Sequence, residues 1–179
     1  MGVDAADINN DLYPDLITLD MLPSDPYILK TSEGEDAFDI FNFKLGYGYN
    51  YQYAKNSLQL NQGNDTYSEL AMFAGLHATD WSWAALLFDF DNDGHKDAFI
   101  SNGIPKRMND IDYINFVEKV DIQNRIRTKS VEDQDIEMID NLPEIKLPNR
   151  LFKNNGDLTF QDLGSSICLL YTSPSPRDS

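Results

Sequence analysis

The sequence predicts an all-β fold, built from antiparallel repeat units and carrying an α-helical insertion. Three observations lead there. A hairpin-like stretch, residues 56–70, returns as residues 149–163. An acidic nine-residue loop, residues 7–15, returns as residues 89–97. The runs beside the second loop, Trp83 to Phe88 and Ala98 to Ile100, are short and apolar, which suits buried strands better than helices.

The hairpins match at a constant offset of 93 residues. Identical pairs are Asn56/Asn149, Leu58/Leu151, Asn61/Asn154, Gly63/Gly156, Thr66/Thr159 and Leu70/Leu163. Each copy reads as strand, tight Asn/Gly turn, strand. The loops match at an offset of 82, so the second unit carries more chain between its loop and its hairpin. The order loop, hairpin, loop, hairpin divides the chain into a first repeat, 1–70, with an insertion at 20–55, and a second, 71–166, with an insertion at 101–148. In the second insertion Ile111, Ile114, Phe116, Val117, Val120 and Ile122 have helical spacing, and Asn109 or Asp110 is placed to cap a surface helix. The charged residues of 118–139 then form its solvated face. In the first insertion Tyr47, Tyr49, Tyr51 and Tyr53 alternate strictly. As a strand they would present one tyrosine face, open to recognition or to packing. Trp81 and Trp83 have strand spacing, which fits core packing, with a carbohydrate-stacking platform as the other reading.

The loops carry the chemistry. In the second, carboxylates stand at positions one, three, five and nine: Asp89, Asp91, Asp93 and Asp97. Gly94 at six permits a sharp bend, and His95 at seven can offer its backbone carbonyl with the ring outward. A hard cation such as Ca²⁺ takes about six to eight oxygen ligands, and a loop coiled around it supplies them from alternate residues. Without a cation the crowded carboxylates repel, so the loop would splay or take up protons. The first loop offers Asp7, Asn9, Asp11 and Asp15, with the Tyr13 carbonyl at position seven. It has Leu12 where glycine is expected, which predicts a strained backbone and weaker binding. Asp/Asn/Gly clusters ordinarily mark simple turns; the duplicated ligand spacing argues for metal. An EF-hand is excluded. Its twelfth position needs a bidentate Glu, and Thr18 and Ile100 stand there.

These residues resemble the FG-GAP/VCBS repeat family, the blades of integrin-α-like β-propellers. Its D-x-D-x-D-G-x-x-D loop is matched by Asp89, Asp91, Asp93, Gly94 and Asp97. Its N-x-L-x-x-N-x-G-x-x-x-F hairpin is matched from Asn149 to Phe160. The chain is also similar to secreted bacterial cartilage-acidic-protein-like proteins, in which such blades precede an ASPIC/UnbV domain; no such segment is present here. The resemblance implies a partial β-propeller of antiparallel blades, with calcium as a structural fastener.

Composition narrows the function. Thirty acidic against fourteen basic residues leave a net charge of −16. Such a chain repels phosphate backbones, so a nucleic-acid partner is not expected. No run of apolar residues suits a membrane span, so membrane insertion is not expected. His77 and His95 lack the neighbours of a catalytic triad, so no enzyme is expected. A polysaccharide-cleaving propeller is the alternative. We expect a fragment of a longer extracellular or cell-surface protein, with the remaining blades and a protein or glycan ligand as partners. Met1 is followed directly by what reads as domain body, and residues 167–179, including the sole cysteine Cys168, resemble translated adapter sequence.

Overall fold

Short alternating stretches and short apolar runs form the strands. A computed structural model of the protein describes residues 2–32, 34, 36–104, 106, 107, 109–128 and 146–164. In chain order the elements are β1 (Val3–Ala6), β2 (Asp15–Thr18), α1 (Pro26–Thr31), α2 (Phe38–Gly46), β3 (Ser57–Asn61), β4 (Tyr67–Glu69), α3 (Ala71–Ala74), β5 (Ser82–Phe88), β6 (Asp97–Asn102), α4 (Ile111–Val117), α5 (Val120–Thr128), β7 (Arg150–Asn154) and β8 (Phe160–Asp162). The strands form two four-stranded antiparallel sheets, ordered β1-β2-β3-β4 and β5-β6-β7-β8. The tail at 167–179 lies outside the described residues.

The two sheets share one register. Ala6 pairs with Asp15 in the first and Phe88 with Asp97 in the second. Leu16 pairs with Gln59, as Ala98 does with Phe152. Asn61 pairs with Tyr67, as Asn154 does with Phe160. Each second partner lies at the sequence offset already noted, 82 for β5 and β6 and 93 for β7 and β8. The six identical hairpin pairs owe their places to shared tasks; the Thr66 carbonyl accepts the Gln62 amide, for instance, as the Thr159 carbonyl accepts that of Asn155. The Asn56 side chain accepts the amide of Asp20, and Asn149 accepts that of Asn102. Asn61 accepts the Gly63 amide, and Asn154 that of Gly156. The Leu70 amide returns to the Leu58 carbonyl, and that of Leu163 to Leu151. Gly63 and Gly156 have left-handed backbones, as glycine allows.

One core serves both sheets. Ile17, Leu58 and Leu60 of the first join Ile100, Phe152 and Phe160 of the second. Burying each such side chain stabilises by about 1.5–3 kcal/mol. The run from Trp83 to Phe88 is a strand as expected, but not a buried one. β5 is a sheet edge, and Trp83, Leu86 and Phe88 stay exposed. Trp83 is 54% exposed, and its indole donates to the Gly103 carbonyl. Trp81 precedes β5, and the register shifts between Ser82 and Ala84, so the two tryptophans are not neighbours on a regular strand.

The chain divides into two compact units. The sheet unit takes the described residues up to Ser24, Gln52–Gly103, and the described residues from Lys146. The other comprises Asp25–Tyr51 and the described part of 104–145. In this second unit Asp110 caps α4 by accepting the amides of Asp112 and Tyr113, as the sequence indicates. The expected single helix is two, interrupted at Glu118 and Lys119. The first insertion is helical as well. Asp25 caps α1, with Pro26 at the first helical position. The tyrosine alternation does not form a strand: Tyr47 ends α2, and irregular chain follows. Tyr47, Tyr49, Tyr51 and Tyr53 are all exposed. Among the described residues no helix is long and apolar enough to cross a membrane.

Candidate metal centre

Each acidic loop joins two antiparallel strands: 7–15 links β1 to β2, and 89–97 links β5 to β6. The flanks are strands, as the exclusion of an EF-hand required. The carboxylates wind the loop by catching its own amides. Asp7 accepts the amides of Asp11 at 3.1 Å and Leu12 at 2.7 Å; Asp89 accepts those of Asp93 at 3.1 Å and Gly94 at 2.9 Å. Position three accepts the same amide as position one, through Asn9 or Asp91. Position five, Asp11 or Asp93, accepts the amide of Tyr13 or His95. These are Asx turns in series. They require left-handed backbones at Asn10 and Leu12, and at Asn92 and Gly94. The strain expected at Leu12 is present: φ is 73°, and the side chain stands 91% exposed.

The ninth residue closes the loop. Asp15 and Asp97 are fully buried. Asp15 accepts the amides of Ile8 and Asn61, both at 2.9 Å; Asp97 accepts those of Phe90 at 3.0 Å and Asn154 at 2.8 Å. Each thus ties its loop to the third strand of its sheet. Burial pushes the Asp15 carboxyl above the ordinary carboxylate range, and the charges of Asp11 and Asp7 add to this, against the pull of its two amides.

In the second loop, ligand atoms of Asp89, Asp91 and Asp97 lie within 4.8 Å of one another. These are hard, anionic oxygens, the donor set that suits Ca²⁺ or Mg²⁺. Asp93 is outside that trio; Lys153 of β7 engages it at 3.0 Å and also holds Asp91. The His95 amide, then Lys153, hold the Asp93 carboxyl below its usual range. Both carboxylates raise the Lys153 ammonium above its own.

The position-seven rings pack against the hairpin turns. A Cβ on Gly63 would fall 2.8 Å from the Tyr13 ring, and one on Gly156 would fall 3.1 Å from His95 Nε2. Each ring therefore lies over the turn glycine of its own hairpin. The loops also touch one another. The Asn10 amide group donates to the Gly94 carbonyl at 3.1 Å, and Asn154 donates to the carbonyls of Ile8 at 2.9 Å and Lys96 at 3.0 Å. Sequence reasoning noted Asn61 and Asn154 only as hairpin identities, although each also braces the exit of its loop, Asn61 through the Pro14 carbonyl at 3.2 Å. Lys153 was missed because it falls opposite Leu60 in the repeat. The chain matches no family model, no curated protein and no solved structure.

Proposed function

We propose that the chain is a calcium-stabilised piece of a β-propeller of the FG-GAP/VCBS kind. It serves as a structural or ligand-binding, adhesive module of a secreted or cell-surface protein. The observation that carries the reading is the pair of loops with one hydrogen-bond pattern, each closed by a buried aspartate. In the second, Asp89, Asp91, Asp93, Asp97 and the His95 carbonyl would hold the ion. In the first, Asp7, Asn9, Asp11, Asp15 and the Tyr13 carbonyl would do so. The ion cancels the repulsion between these groups and locks the connection between two strands. Its role is to fasten, not to react. Loops of this kind suit the exterior of the cell, where calcium is abundant and weak sites fill.

The exposed Trp83, Leu86 and Phe88 on edge strand β5 support the need for further blades of the same parent chain, which bury such faces. The exposed tyrosines and Trp83 favour a second reading, a propeller enzyme acting on polysaccharide; a glycan array followed by a turnover assay on bound glycans separates binding from cleavage.

A thermal melt in EGTA and in 10 mM calcium tests the main reading. With dissociation constants on the order of 10⁻⁴–10⁻³ M, each filled site stabilises the fold by about 1.4–2.7 kcal/mol. An unchanged Tm overturns it.

A further inference from the structure

The two loops balance their charge by different means. At position three the second loop has Asp91 where the first has Asn9. On the facing strand the second sheet has Lys153 where the first has Leu60. Counting the ligand side chains alone, four aspartates with Lys153 give −3, as do three aspartates with a neutral Asn9; Lys96, within the second loop where the first has Pro14, adds one further positive charge.

The match extends to single atoms. In the first loop the Asn9 amide group donates to Asp11 Oδ2 at 2.8 Å. In the second, a carboxylate replaces that amide group, and Lys153 Nζ instead approaches Asp93 Oδ2, the corresponding oxygen, at 3.0 Å while holding Asp91. The position is not polar by habit, since Leu60 is buried in the core. Lone surface ion pairs contribute little. Here one ammonium bridges two carboxylates of a single loop, one of which belongs to the trio that faces a common point.

We infer that Lys153 is a tethered cation that keeps the second loop closed without a metal ion and competes with the ion for Asp91 and Asp93. The inference rests on reading the loops as calcium sites. Its consequence reverses the ranking that carboxylate count suggests. The second loop has the fuller ligand set, yet an incoming ion must displace an ammonium. Among the described residues the first loop has no such competitor. A lysine suits this exchange, because its compact charge on a flexible stem swings into solvent when displaced.

Calcium titration calorimetry on the full chain tests this, comparing wild type with Lys153→Gln, Lys153→Met and Lys153→Arg. Circular dichroism in EGTA checks that each variant folds. We expect Lys153→Gln and Lys153→Met to tighten one of two calcium-binding steps about tenfold, as removal of a unit charge a few ångströms from the ion near a protein surface implies. The other step stays put, and Lys153→Arg keeps both wild-type affinities. In EGTA the Gln and Met variants melt below wild type, and calcium restores them. Folded variants that bind calcium with wild-type affinity overturn the inference and leave the calcium reading intact. If neither wild type nor any variant takes up calcium, the calcium reading fails and the inference falls with it.

Discussion

The loops at 7–15 and 89–97 differ at the position held to matter most for such a bend, and they bend alike. Leu12 stands where Gly94 stands, yet both residues are left-handed and both donate their amides to the first aspartate of the loop. What shapes the loop is therefore the set of carboxylate-to-amide bonds, with glycine lowering the cost. A second difference concerns charge. One loop carries an amide at position three and apolar Leu60 on the neighbouring strand; the other carries a carboxylate and a lysine. The same fold thus carries one loop held by carboxylate-to-amide bonds alone and one in which a lysine also engages two of the carboxylates.

The largest expected effect lies where the loops agree. Asp15→Ala and Asp97→Ala each orphan two amides, and urea denaturation in EGTA should show losses of about 2–5 kcal/mol for each. Since these bonds are to the backbone, calcium should not restore the loss. Near-neutral results would mean that the ninth residue is only a metal ligand. Next come the two bracing asparagines. Asn154→Ala should cost about 1–3 kcal/mol and exceed Asn61→Ala, because Asn154 serves Ile8 of the first loop as well as Lys96 of its own. Equal losses would deny that the loops are joined. Leu12→Gly should stabilise by about 1 kcal/mol, and Gly94→Ala should destabilise by a similar amount. Thermal melts of the pair measure how much of the asymmetry is backbone strain.

The smallest effect is one of pH. The folded-state value of Asp15 is raised, so in neutral EGTA its ionised form costs the folded state. That cost is relieved as pH falls through the raised value toward the ordinary carboxylate range. Calcium affinity at the first loop should weaken over the same window, because a proton competes with the ion. An affinity that holds constant there would remove Asp15 from the ligand set.

The repeats, both loops, both hairpins and the Asp110 cap were legible in the linear chain. Each rests on residues close in sequence, where spacing alone dictates which side chain meets which amide. The chain also implied strain at Leu12, since φ preference is a property of a single residue. Other features needed the tertiary structure. Alternating tyrosines suggested a strand, but a strand needs a partner, and the segment runs from a helix end into irregular chain. The apolar run in β5 suggested burial, yet an edge strand of this chain has too little beside it to cover Trp83. Lys153 looked like any polar strand residue until the register set it against residues some sixty positions earlier. The sequence by itself determined the plan of the unit and the spacing of its acidic residues, because both are local. Only the tertiary structure decided which cation already sits there, because that depends on which strand lies opposite.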